Sequence, residues 1–248
     1  MLQQMEGEVI TLLDGKTWEM DDILKKMWDD SFYYGYLGKA ALSSSSFKKL
    51  TISVDEYQKS LVERNDSPAL KIGRLTHHAI LQPELVGQYY EFVDCKTRGS
   101  KIYKEAVLES PREVFLEKDK IWSDNMKDAV YSHETASALL LTGMAEVPAI
   151  DYVQGLPVRA KADWLRDDCI VDLKTTSSID DFDYNCTVFG YDIQAYLYTK
   201  IFRRQFFIFI AVDKKTFKVK VVQATEEMID EGERKVAIAV QNYINEYF

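Results

Sequence analysis

Cysteine is scarce: three residues in 248, Cys95, Cys169 and Cys186, scattered and odd in number. None has zinc or iron–sulfur spacing. A thiolate quartet around an iron–sulfur cluster is therefore excluded, and the three are expected to stay reduced in a cytosol. No apolar run approaches the length needed to cross a bilayer, so no membrane partner is expected. No secretory signal precedes the first acidic residues, and a cytoplasmic location is expected. Positive charge is in deficit, 31 Lys and Arg against 40 Asp and Glu, a net of −9. That argues against a protein that coats nucleic acid indiscriminately. The deficit is uneven. Residues 1–30 hold eight acids and three bases, whereas residues 200–220 hold seven bases and one acid. The basic stretch reads either as a solvated face or as a phosphate-facing edge on an acidic body. Internal repeats and low-complexity linkers are absent as well.

What remains is an ordinary globular composition, 46% hydrophobic and 29% charged, with length for one sizeable core. Residues 1–18 lack periodicity and read as an arm, followed by a short helix over 21–29. Helices are predicted from Ser43–Ser46 onward, over 54–65, from Ser67-Pro68 to about Leu81, over 101–109 and over 118–142. Short strands are expected near 89–93 and 114–115. From Glu146 the pattern turns β-rich, with strands near 146–153, 157–165 and 169–174, a helix over 189–202, and strands at 205–212 and 217–222. An amphipathic helix closes the chain from Thr225, its first turns acidic and Val236, Val240 and Ile244 on one stripe. The expectation is an α/β fold with a mixed central β-sheet flanked by helices, in one domain over 41–248 behind an arm and short helix over 1–40.

Residues 156–174 carry the most chemistry. Period-two alternation puts Val158, Ala160, Ala162 and Trp164 on one face and Arg159, Lys161 and Asp163 on the other. Counting outward from a hairpin corner at Arg166–Cys169 sets Asp163 directly opposite Asp172, roughly 5 Å apart at Cβ. Lys174 shares the face of Asp172. Two carboxylates with an ammonium beside them suit a shared hard cation, Mg²⁺ or Mn²⁺. An exposed hairpin with a surface ion pair is the plainer alternative.

The surroundings of the hairpin add further polar groups. Gly73 and His77 stand four apart on one helix face, as do Gln194 and Tyr198 on a later helix. Polar groups buried on such a helix need partners, and the lysine or a substrate phosphate is one. Ser45, Ser46 and Lys48, at a helix start, either cap that helix or hold a phosphate. Lys71 and Arg74 lie within two turns of His77 and face either a phosphate-bearing ligand or water.

Taken in order, Gly73-x-x-x-His77, Asp163, Asp172-x-Lys174 and Gln194-x-x-x-Tyr198 resemble the PD-(D/E)XK nuclease superfamily, in its RecB-type and lambda-exonuclease-type branch. Gly73-Arg-Leu-Thr-His77 followed by Leu81-Gln-Pro-Glu is most similar to the RecE-like family (exodeoxyribonuclease VIII and phage relatives), over roughly residues 40–222. The resemblance implies a single nuclease domain and a Mg²⁺-dependent exonuclease on double-stranded DNA ends. Digestion is expected in the 5′→3′ direction, leaving single-stranded tails for recombination. A homo-oligomeric ring and a single-strand annealing partner of the RecT-like or phage type are implied too. His77, Asp163, Asp172 and the Leu173 carbonyl would then be metal ligands, with His78 an alternative to His77. Lys174 would position or activate water, supported by Gln194 and Tyr198. Arg159 and Lys161, beside Asp163, join the candidate DNA contacts. Departures exist: Gln82 replaces a frequent glutamate, and Ala162 stands where the superfamily name expects proline. A structure-selective or restriction-type endonuclease and a non-catalytic end-binding protein are the competing readings.

Overall fold

A computed structural model describes residues 8–63 and 67–248. The chain opens with a small antiparallel hairpin, β1 (Val9–Thr11) and β2 (Thr17–Glu19), where no periodicity was legible. Strands of three residues are too short to show alternation. Helix α1 (Met20–Lys26) follows, with Asp21 and Asp22 in its first turn and Lys25 and Lys26 in its last, as the helix dipole favours. A π-helical segment, Ser31–Tyr36, leads into α2 (Leu37–Ala40).

Side-chain caps start the next three helices: Ser43 for α3 (Ser44–Leu50), Ser53 for α4 (Val54–Val62) and Ser67 for α5 (Pro68–Leu81). Positions 64 and 65 of the predicted helix lie outside the described residues. Helix α6 (Pro83–Tyr89) restarts immediately at Pro83, which is tolerated at a first helical position. Strand β3 (Tyr90–Val93), helix α7 (Lys101–Glu109) and strand β4 (Glu113–Leu116) form a parallel crossover unit. The helix predicted over 118–142 is two, α8 (Glu117–Ser132) and α9 (Glu134–Leu139), divided at His133, whose ring caps the second.

The main sheet comprises β5 (Met144–Val153), β6 (Leu156–Leu165), β7 (Cys169–Thr176), β8 (Phe206–Asp213) and β9 (Val219–Gln223), in that spatial order. All neighbours run antiparallel except β7 and β8, so the sheet is mixed, as expected. Helices α10 (Phe182–Val188) and α11 (Tyr191–Phe202) connect the parallel pair, and α12 (Glu226–Tyr247) closes the chain. One face of the sheet packs Val158, Ala160, Ala162, Phe207 and Phe209 against α3, α11 and α12. The other packs Val171, Leu173, Ile210 and Val212 against α5 and α8. Burying each aliphatic or phenyl side chain there contributes about 1.5–3 kcal/mol. No helix of the described residues is long and apolar enough to cross a membrane.

Two local features position the site. The corner Gln154-Gly155 has positive φ at both residues, +50° and +83°, the geometry of a tight two-residue hairpin turn. It sets the β5–β6 register, with Ala145 opposite Trp164 and Val147 opposite Ala162. Between those pairs Glu146 stands across from Asp163 with φ +54°. A non-glycine residue held in this region costs on the order of 1–3 kcal/mol, and such residues cluster at functional sites. The kink also resets the pleat. Trp164 leaves the face of Val158, Ala160 and Ala162 and packs with Ala145 on the opposite layer, which corrects the strict alternation read from sequence.

Candidate active site

Strands β6 and β7 pair at Trp164–Val171 and Leu165–Ile170, the register that the corner count predicts. Beyond those pairs the ladder stops. Asp163 Oδ2 fills the gap by accepting the Leu173 N–H at 2.9 Å. Further along, Leu42 takes the released edge of β6, bonding Pro157 O at 2.9 Å and Arg159 N–H at 2.8 Å. The two aspartates thus sit where the sheet splits, which frees Asp163 from the ladder while Asp172 stays inside the core.

Asp172 is fully buried. Its Oδ1 accepts a 2.6 Å hydrogen bond from Gln194 Nε2. The Gln194 Oε1 accepts from Lys174 Nζ at 3.0 Å, and that ammonium lies 2.5 Å from Asp172 Oδ2. Oδ2 is buried, and the Lys174 ammonium is its ion-pair partner. Burial, offset by Lys174 and reinforced by the nearby Asp163, pushes the Asp172 carboxyl up to about 6. Burial pulls Lys174 down, but Asp172 and Asp163 outweigh it and keep the amine protonated, above its ordinary value. Lys174 is therefore an ammonium, suited to holding negative charge rather than to accepting a proton.

His77, one helical turn after Gly73 on α5, lies with Nδ1 3.5 Å from Asp163 Oδ2. His78 turns away and its Nδ1 meets the Tyr90 hydroxyl at 2.7 Å. The geometry thus sets His77, not His78, beside the carboxylates. His77, Glu146 and Asp163 bring ligand atoms within 4.8 Å of one another. Burial first, then the Asp163 charge, pushes the Glu146 carboxyl up to about 8. Crowded carboxylates whose ionisation is suppressed, with an imidazole beside them, are a donor set that one or two hard divalent cations would satisfy.

Sequence reasoning missed Glu146 and Tyr191. A corner at Gln154-Gly155, counted outward as for Asp172, would have placed Glu146 opposite Asp163. Tyr191 is three residues before Gln194 and seven before Tyr198, hence on the same helix face. Its ring lies 4.8 Å from Lys174 Nζ. Tyr198, expected to support the lysine, is instead buried, its hydroxyl 3.5 Å from the Lys161 N–H and its ring against Phe202 and Phe207. Leu173 contributes its N–H to Asp163.

The candidate DNA contacts scatter. Ser46 N–H bonds the Ser43 hydroxyl, and the Ser45 and Ser46 hydroxyls meet the same oxygen at 2.9 and 3.1 Å, which is a helix cap. Lys71 and Arg74 both pair with Glu113, at 3.1 and 3.3 Å. Lys161 is held 2.6 Å from Asp30 and stacks on Tyr33 and Tyr34, while Arg159 lies 4.5 Å over Tyr33. Lys48 stands apart, 5.6 Å from the Phe189 ring. The basic stretch 200–220 does not form one edge: Lys220 pairs with Asp183 at 2.7 Å, Arg203 with Asp151 at 3.6 Å, and Arg204 bonds the Arg166 carbonyl.

This split sheet with acidic residues and a lysine at the break is the architecture of the PD-(D/E)XK class. The chain belongs to the family described as "PDDEXK-like domain of unknown function (DUF3799)", which it matches over residues 43–246. Its fold is similar to the crystal structure of a protein from Eubacterium rectale, provisionally assigned as an exonuclease. The two are 18% identical, with a TM-score of 0.68 and 89% of this chain and 88% of that one covered. A phage-related exonuclease from Haemophilus somnus 129PT is 13% identical over 82% of this chain and 93% of its own, with a TM-score of 0.38, too low to carry argument. No curated protein matches the chain. Nuclease folds of this class use divalent metal, and the donor set above fits one.

Proposed function

We propose that the chain is a Mg²⁺-dependent exonuclease that digests one strand from double-stranded DNA ends, 5′→3′, leaving single-stranded tails for recombination by strand annealing. The observation that carries this reading is the Asp172–Gln194–Lys174 relay set against the His77, Glu146 and Asp163 cluster. His77, Glu146, Asp163 and Asp172 would hold the ion, with the Leu173 carbonyl a further candidate donor. A bound divalent ion supplies Lewis acidity to the scissile phosphate and lowers the pKa of water. The protein's own part is positioning and charge. Lys174, kept protonated, stabilises negative charge on the phosphate as the attacking oxygen approaches. Gln194 fixes the lysine and the aspartate in one geometry. The Tyr191 ring covers the ammonium and limits its freedom. Phosphate contacts position DNA without reading bases, so no sequence preference is expected. A homo-oligomeric ring and an annealing partner follow from the family resemblance and belong to the same proposal.

The test is a time course on linear duplex labelled separately at each 5′ end and each 3′ end, with Mg²⁺ or chelator, beside a covalently closed circle. Mononucleotides released from 5′ ends, with Mg²⁺ only and with the circle intact, support the proposal. Opening of the circle would make the chain an endonuclease, and release from 3′ ends would reverse the polarity.

A further inference from the structure

One pocket beside the site is not used by the reading above. It opens where β7 leaves the sheet and is bounded by Thr175, Ser177, Asn185, Phe189, Tyr191 and Lys214. Its volume is about 210 Å³, room for the sugar and phosphate of one nucleotide but not for a base pair. Tyr191 forms the wall between this pocket and Lys174. The other lining groups have hydrogen-bonding capacity to spare. Among the described residues, the hydroxyls of Thr175 and Ser177, the Asn185 amide and the Lys214 ammonium make no side-chain hydrogen bond, and Lys214 has no ion pair. Phe189 is 48% exposed, so its ring is accessible from the pocket. Lys48 reaches the same ring from α3, which brings a second cation to the rim. Of the acids near these residues in sequence, Asp183 pairs with Lys220 at 2.7 Å, Asp181 accepts from the Ser178 hydroxyl at 2.7 Å, and Asp213 accepts from the backbone N–H groups of Ile179, Lys215 and Thr216; none of them lines the pocket. The pocket therefore combines a half-exposed aromatic ring beside Tyr191, neutral hydroxyls and two lysines, the chemistry that binds a nucleotide through stacking and phosphate. Lys214 also gives one residue of the basic stretch 200–220 a specific task.

We propose that this pocket binds one deoxynucleoside 5′-monophosphate unit, the nucleotide adjoining the scissile phosphate of the strand being digested. Its base rests on Phe189, and its phosphate sits between Lys214 and the hydroxyls of Thr175 and Ser177. The inference rests on the nuclease reading for the identity of its ligand, but its test does not use cleavage. The full chain, in chelator, is titrated with dAMP, with deoxyadenosine and with inorganic phosphate, and binding is followed by calorimetry or ligand-observed NMR. Phe189→Ala is expected to weaken dAMP and deoxyadenosine about tenfold and leave phosphate unaffected. Lys214→Ala is expected to weaken dAMP and phosphate and spare deoxyadenosine. Both side chains are outside the core, and Phe189→Leu, which keeps apolar bulk while losing the flat ring, separates stacking from packing. Absence of dAMP binding by the wild-type chain, or equal affinity in all variants, overturns the pocket. A chain that cuts DNA yet binds no mononucleotide loses the pocket alone. One that binds dAMP through these residues but cuts nothing keeps the pocket and loses the nuclease reading.

Discussion

Replacing Gln194 by alanine tests the relay at its centre. The carboxamide donates to Asp172 Oδ1 at 2.6 Å and accepts from Lys174 Nζ at 3.0 Å, so one truncation removes two hydrogen bonds to charged groups. Each such bond contributes about 1.5–3 kcal/mol when its partner is left unsatisfied. Asp172 is fully buried, whereas Lys174 keeps 18% of its side chain exposed, so water can replace the lost acceptor but not the lost donor. The two effects together point to a loss of about 2–3 kcal/mol, which lowers the melting temperature of a chain this size by about 5–10 °C. Activity should fall further than stability. The lysine loses its orientation while the phosphate-binding residues remain, so kcat drops about 10- to 100-fold with little change in KM. Thermal melts and steady-state kinetics on linear duplex check both numbers. A variant with the predicted fall in melting temperature but kcat within twofold of wild type would reduce Gln194 to packing. Unchanged melting temperature and unchanged kcat would refute the hydrogen-bond geometry itself.

Glu146→Gln should stabilise the chain in chelator while removing nuclease activity. A carboxyl whose folded pKa is raised costs stability as pH climbs above its unfolded value, and the penalty is complete once pH passes the folded value, about 8 here. The melting-temperature gap between variant and wild type should open between about pH 5 and 8 and then level off; a gap constant across that range contradicts the assignment. Asp213 behaves oppositely. Burial pulls its carboxyl up, but the N–H groups of Thr216 and Lys215 outweigh that and hold it below the ordinary range, so its contribution is present above the unfolded value and disappears in acid. Asp213→Asn should therefore destabilise at pH 7 and become neutral in strong acid, as urea titrations at the two pH values will show. Gly232→Ala should destabilise by about 1–3 kcal/mol or more, because its Cβ would collide with the Asp192 carbonyl where α12 crosses α11; a melting temperature within two degrees of wild type contradicts that close approach.

The hairpin register, the mixed sheet and most helices were legible in the sequence because period and turn chemistry speak locally. A corner and a count gave the Trp164–Val171 and Leu165–Ile170 pairs, but Asp163, one step on, has left the ladder and accepts the Leu173 N–H. The same count from Gln154-Gly155 reaches Glu146, but a glutamate at a strand start carries no mark of its own, and its positive φ is invisible in the letters. Trp164 misled for the same reason: alternation assumes an unbroken pleat, and the break is set by tertiary contacts at the site. The arm was unreadable because its strands are shorter than one full alternation and its π-helical segment has no compositional signature. Gln194 stood out as polar on an apolar helix, whereas Tyr191 did not, since a tyrosine at that spacing is ordinary core. Basic residues named as DNA contacts from position alone found local acids instead, Glu113 for Lys71 and Arg74 and Asp30 for Lys161, because sequence separation hides such partners.

The central claim is that oxygen and nitrogen donors from four separate elements gather a divalent ion next to Lys174. Crystals grown with Mn²⁺ and measured at its absorption edge test this most directly. Anomalous density among His77, Glu146, Asp163 and Asp172, lost in Asp172→Ala together with cleavage, is the predicted result. No density there from crystals of a chain that cleaves DNA in Mn²⁺ would contradict the account.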